Sequence, residues 1–156
     1  MTPDVIIRPD LIVRVVYLST AVGVLRADEL DRIWLRAKAA NAGAGITGLM
    51  LFHQGVFLQV LEGPAAGVAS LMERIRRDRR HSGIVILETG EVSERAFVGS
   101  PMHYIAARNL SAGEKQAFTD LHQAVSARPL MLGPPAPGAD NGLGAFIASF
   151  KSLRAV

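Results

Sequence analysis

The chain contains no cysteine. Disulfides, thiolate nucleophiles and cysteine-ligated metals are thereby excluded, and a reducing compartment is the natural setting. Lysine is scarce: Lys38, Lys115 and Lys151 are the only three, so arginine supplies the remaining 14 of 17 basic residues. The net charge of +3 is modest for a nucleic-acid binder. No segment approaches the roughly 18 uninterrupted apolar residues of a membrane span. Residues 1–10 carry acids and prolines and no apolar core, so they do not form a secretory signal. A cytoplasmic protein with no membrane contact is expected. Metal-ligand spacing is missing too, since the four histidines stand far apart at 53, 81, 103 and 122. There is no phosphate-binding glycine loop and no nucleophile elbow.

What is present suits a folded domain. The 156 residues are 49% hydrophobic and 20% charged, enough for one buried core. A sensor and a catalytic domain do not fit side by side in that length. Any activity this chain regulates is expected on another chain.

The hydrophobic pattern gives an element order. Residues 11–19 read as a buried β-strand, and 27–41 as a helix with Leu30, Ile33, Trp34 and Ala37 on one face. Runs 46–53 and 56–62 flank Gln54-Gly55 and read as a hairpin. A second helix follows Pro64, with Val68, Leu71, Met72 and Ile75 at helical spacing. Strands are expected at 84–88 and 100–108, and a further helix at 114–126. This is an α+β, ferredoxin-like βαββαβ order with an added fifth strand and two helices on one sheet face. Strand three alternates large apolar side chains on both faces, so both faces need cover. The helix at 114–126 and the stripe Leu143, Phe146, Ile147, Phe150 and Leu153 are the expected cover for the second face.

Two polar side chains interrupt the core pattern. Tyr17 shares a strand face with Val13 and Val15, and Gln59 lies between Phe57 and Leu61. In a ferredoxin-like order their strands are neighbours. A buried polar group without a partner costs about 1–3 kcal/mol. Either the two bond each other or the backbone, or both face a polar ligand under the helices. Asn41 has two readings as well: a helix C-cap, or a bidentate amide matching a carbonyl beside an N–H on a ligand ring. Arg74, Arg76, Arg77, Arg79 and Arg80 cluster at the end of the second helix, where cations suit the helix dipole. No aromatic residue is interleaved with them, which argues against stacking on single-stranded bases.

Several segments taken together resemble a known family. Val16-Tyr17-Leu18-Ser19, Asn41 followed by Gly45-Ile46-Thr47-Gly48, the run from Gly55 through Phe57-Leu58-Gln59-Val60-Leu61-Glu62-Gly63, Arg77-Asp78-Arg79-Arg80-His81, and Arg95-Ala96-Phe97 before Met102 occur in one order. The pattern is similar to the BLUF family of blue-light sensors that use flavin, over residues 11–108. The resemblance implies a non-covalent flavin between the two helices, FAD in most members, with FMN left open. Tyr17 would be the electron and proton donor, and Gln59 would bridge Tyr17 and the flavin and rearrange its amide after light. Asn41 would hold the pyrimidine edge, Ile46 would pack on the ring, and Arg80, Asp78 and His81 would line the rim. The absence of cysteine removes the cysteinyl-flavin chemistry of other blue-light sensors.

The sequence departs from the family at two places. Ser100 stands where many members have a tryptophan, two residues before the methionine of strand five, so Met102 becomes the candidate contact for Gln59. Trp34, the only tryptophan, is in the first helix and is not a substitute by position. Ala40 replaces a frequent polar residue before the asparagine. The expected division is an extension at 1–10, a photosensor at 11–108 and a helical cap or output segment at 109–156. Partners implied are a separate effector protein and a second copy of the chain. Two other readings are a small acylphosphatase-like hydrolase and a chromophore-free basic binding module. The first lacks a convincing phosphate cradle in residues 20–26. The second rests on the arginine cluster.

Overall fold

A computed structural model describes residues 11–126. Residues 1–10 and the apolar stripe at 143–153 lie outside the described residues. The elements are β1 (Ile12–Ala21), α1 (Ala27–Ala44), β2 (Thr47–His53), β3 (Val56–Pro64), α2 (Ala65–Arg77), β4 (His81–Val92), β5 (His103–Ala106), a 3-10 turn (Ala107–Asn109) and α3 (Ala112–Ser126). The sheet runs β4-β1-β3-β2-β5. Its first four strands are antiparallel neighbours, and β5 joins β2 in parallel. This is the expected ferredoxin-like order with one strand added.

The β2–β3 hairpin turns on Gln54-Gly55, both with positive φ (51° and 80°). That is the backbone of the tight turns whose twist matches a hairpin. In β2, a Cβ at Gly48 would lie 1.9 Å from the Val60 carbonyl oxygen, so only glycine lets the two strands approach there.

The sheet has two dry faces. On one, Val15, Tyr17, Met50, Phe57 and Leu61 pack with Leu30 of α1 and Val68, Leu71 and Met72 of α2. On the other, Val16, Leu18, Leu49, Leu51, Leu58 and Val60 pack with Phe97 and with Phe118 and Leu121 of α3. The period-2 alternation of β3 thus feeds both cores, as its apolar run requires. The third helix covers the second face as expected.

Boundaries differ in instructive ways. β4 spans His81–Val92, far beyond the expected 84–88, because it pairs with β1 along that strand's whole length. Two register shifts, at Leu87 and around Gly83-Ile84, interrupt the ladder without ending it, and Gly90 pairs in register with Arg14. β5 is shorter than the expected 100–108. Pro101 has no N–H for a ladder, and the chain coils into the 3-10 turn from Ala107. α1 runs past Asn41 to Ala44, and Gly45 with φ 70° closes it. The capping reading of Asn41 therefore fails: its backbone is helical and its side chain is 1% exposed.

Candidate functional site

Tyr17 of β1 and Gln59 of β3 are directly opposite in the antiparallel register. Opposed residues on one face are the closest side-chain neighbours in a sheet. The Tyr17 hydroxyl donates a hydrogen bond to Gln59 Oε1, and both residues are buried. Burial, and secondarily the negative charge of Asp78, pushes the phenol well above its ordinary pKa. Tyr17 is thus held as a neutral donor, and Gln59 is left with its Nε2 hydrogens to give elsewhere.

A cleft of about 200 Å³ opens over this pair between α1 and α2. Ile33, Ala37 and Ala40 form the α1 wall, Leu71 and Ile75 the α2 wall, and Ser19, Phe57 and Gln59 the floor. Arg36, Arg74, Arg80, Asp78 and His81 stand around it. Arg80 Nε donates to Asp78 Oδ1 at 2.9 Å, so these two form one ion pair at the rim. That bond holds the Asp78 carboxyl below its ordinary pKa. His81 opens β4 with a ring nitrogen 3.1 Å from the Ile75 carbonyl, and burial lowers its pKa.

Asn41, Ile46 and Met102 are buried beside this site and not in the cleft wall itself. Asn41 Nδ2 donates to the Pro101 carbonyl at 2.8 Å, while its Oδ1 is buried without a partner. Ser19 Oγ is the other buried side-chain atom without a partner among the described residues. Such atoms are rare because each costs about 1–3 kcal/mol, and here two occur beside one cleft. Ile46 and Met102 sit in the same core layer as Tyr17, each 1% exposed.

The sequence reading singled out Tyr17, Gln59, Asp78, Arg80 and His81; the last four line the cleft, and Tyr17 is bonded to Gln59 at its floor. It missed Ser19, whose position after Tyr17 hid its burial. It read Arg74 as part of the arginine cluster that suits the helix dipole; Arg74 is exposed and also lines the cleft. It also set Trp34 aside by position. In the fold, Trp34 Nε1 donates to the Met102 carbonyl at 2.9 Å, so the indole does reach the segment before β5.

Glu62 was a motif residue without a task. Its carboxylate is 0% exposed at the end of β3, on the face away from the cleft. It accepts from Arg14 Nε (2.9 Å) and from the Ala96 and Phe97 amides (2.9 and 2.8 Å). Arg95 adds bonds to Thr47 Oγ1, the Glu62 carbonyl and the Gly45 carbonyl, each at 2.8–2.9 Å. Together they pin the β4–β5 connection to the sheet.

An apolar slot with a polar, partly unsatisfied inner edge and an arginine-bearing mouth fits a flat heteroaromatic ring carrying an anionic tail. The unpartnered Asn41 Oδ1 and Ser19 Oγ are able to accept from N–H or O–H groups, and Gln59 Nε2 is able to donate to a carbonyl. No helix among the described residues is long and apolar enough to cross a membrane.

Comparison with known proteins agrees with that chemistry. The family model for sensors of blue-light using FAD matches residues 12–103. The photoactivated adenylate cyclase subunit alpha of Euglena gracilis is 35% identical over 96 residues, covering 62% of this chain and 9% of that protein. The chain thus spans about a tenth of the length of that curated relative. The solved photo-activated state of BlsA superposes with a TM-score of 0.70 at 26% identity, covering 90% of this chain and 94% of that one. The dark state of BlrB, a BLUF protein, gives 0.68 at 22% identity over 91% and 98%, a likeness of fold alone. With its family signature spread over most of the described fold, the chain belongs to the BLUF family, the sensors of blue light using FAD.

Proposed function

We propose that this chain is a blue-light photoreceptor that binds FAD non-covalently in the α1–α2 cleft and signals to a separate effector protein. The observation that carries the reading is the buried Tyr17–Gln59 hydrogen bond on the floor of a cleft with two orphaned acceptors at its edge. When bound, the flavin supplies blue-light absorption and an electron-accepting ring.

The chain's own residues do the rest. Tyr17, kept protonated by burial, is the electron and proton source at its Oη. Gln59 holds that hydroxyl through Oε1 and keeps Nε2 for the ligand. An amide is nearly symmetric in shape, so turning it exchanges donor and acceptor ends with little backbone movement. Such a turn re-routes every hydrogen bond the side chain makes, a local electrostatic event suited to a switch. Asn41 offers its free Oδ1 to the ring edge, and Ile46 and Met102 pack the core beneath. The Arg80–Asp78 pair and His81 shape the rim, with Arg36 and Arg74 as counter-charges for phosphate. FAD is favoured over FMN by the family match. The mass of flavin released on denaturation decides between them.

Residues 11–108 act as the sensor, and the helical segment from 109 as cap and output. In the Euglena relative the matched region is 9% of a protein whose name joins photoactivation to adenylate cyclase, which supports a light-sensing part governing an activity located elsewhere. A homo-oligomeric, cytoplasmic protein completes the reading, and light scattering tests the first of these properties. The direct test is reconstitution: purified protein offered FAD turns yellow and its absorption shifts red in blue light. Colourless protein with hydrolase turnover, or salt-sensitive DNA retention without flavin, overturns it.

A further inference from the structure

The sheet register draws a line from the photoactive pair to the far edge. Tyr17 stands opposite Gln59, Gln59 opposite Met50, and Met50 opposite Tyr104. One row of residues therefore crosses β1, β3, β2 and β5 on the face that α1 and α2 cover. The row ends on α1. The Tyr104 ring lies 5.8 Å from the Trp34 ring, and the Trp34 N–H is bonded to the Met102 carbonyl. Two turns further along the helix, Asn41 holds the Pro101 carbonyl.

Two successive carbonyls at the entry to β5 are thus taken by two donors of one helix. Apart from these, β5 is held by its pairing with β2 and by buried Ile105. It is four residues long, at the sheet edge, and paired on one side only. Short edge strands are the least securely held part of a sheet.

Building on the photoreceptor reading, we propose that Trp34 is a positioning residue that fixes the entry to β5 in its dark register and releases it when Gln59 turns its amide. A turned Gln59 changes what Met50 packs against, and the row passes that displacement to Tyr104. The Tyr104 ring then shifts against Trp34, and the indole–Met102 bond is the contact that yields. Ser100 cannot make an aromatic contact of its own here, so the helix supplies the indole.

The test uses the flavin-loaded full chain with two replacements at position 34: Trp34→Phe, and benzothienylalanine, which keeps the indole's shape without its N–H. Three quantities are read: the light-minus-dark spectrum, the dark-recovery rate, and amide hydrogen exchange across 103–106 in darkness and light. The red shift should persist in both variants. Exchange of the β5 amides in darkness should quicken by about fivefold, the scale one neutral hydrogen bond supports. Dark recovery should slow by a similar factor, and the light–dark exchange difference should shrink. Parental exchange and recovery in the benzothienylalanine protein would overturn the proposal. Loss of flavin in that protein would overturn it too, by making Trp34 part of the pocket. A parent that binds flavin but never shifts red sinks the photoreceptor reading alone, because the dark-exchange comparison still tests the hold on β5.

Discussion

Replacing Glu62 by glutamine keeps the side chain's shape and removes its charge. The carboxylate accepts through both oxygens: Oε1 takes the Phe97 amide, and Oε2 takes the Ala96 amide and Arg14. A glutamine has one acceptor oxygen. Whichever way its amide lies, its NH2 faces at least one backbone N–H, and that buried donor goes unpaired. An unpaired buried group costs about 1–3 kcal/mol, and the lost charge-assisted bond adds about 1.5–3. Arg14 retains 17% side-chain exposure and so recovers part of its hydration. About 3 kcal/mol is therefore expected, near the lower end for breaking a buried pair. For a domain of this size that corresponds to a fall in Tm of roughly 6–12 °C. Thermal unfolding of Glu62→Gln followed by circular dichroism is the assay. Glu62 points away from the cleft, so flavin binding by the folded variant should be unchanged. A variant melting within about 1 °C of the parent, where additive surface effects lie, would refute the claim that this carboxylate pins the β4–β5 connection.

Other outcomes follow from the same contacts. Tyr17→Phe removes the hydroxyl that Gln59 accepts, so a protein that still binds flavin should show no light-induced red shift; a normal shift would exclude Tyr17 as the donor. It should also lose about 1–3 kcal/mol of stability, read by urea titration, because Gln59 Oε1 is left buried and unpaired. His81 has a folded pKa lowered by burial from 6.5. Its stability contribution is then present above about 6.5 and lost as pH falls toward the lowered folded value. Urea midpoints should accordingly decline below that pH, and His81→Phe should flatten that decline; an unchanged slope contradicts the assignment.

The sheet was readable because its pattern is simple. Alternation in β3 and the Gln54-Gly55 turn forced a hairpin, and apolar runs on both sheet faces demanded two layers of cover. The Tyr17–Gln59 pair was readable for the opposite reason, since both are polar exceptions on apolar faces. Glu62 escaped because an acid at a strand end looks solvent-facing until a distant loop closes over it. Trp34 escaped because its ring completes an apolar helical stripe, and nothing local says where its N–H points. Asn41 looked like a cap because Ala-Gly follows it, yet the helix continues while the side chain turns inward to Pro101. β4 and β5 were misjudged in length because pairing partners, and not local propensity, decide how far an edge strand extends.

The proposed light switch is a buried phenol–amide pair beside the flavin cleft. One absorption spectrum of the FAD-loaded protein, taken before and after blue light and again after darkness, tests it most directly. The spectrum should shift red in light and return in the dark, with no such shift in Gln59→Leu. A spectrum unmoved by light in the flavin-loaded parent, or an equal shift in Gln59→Leu, would contradict it.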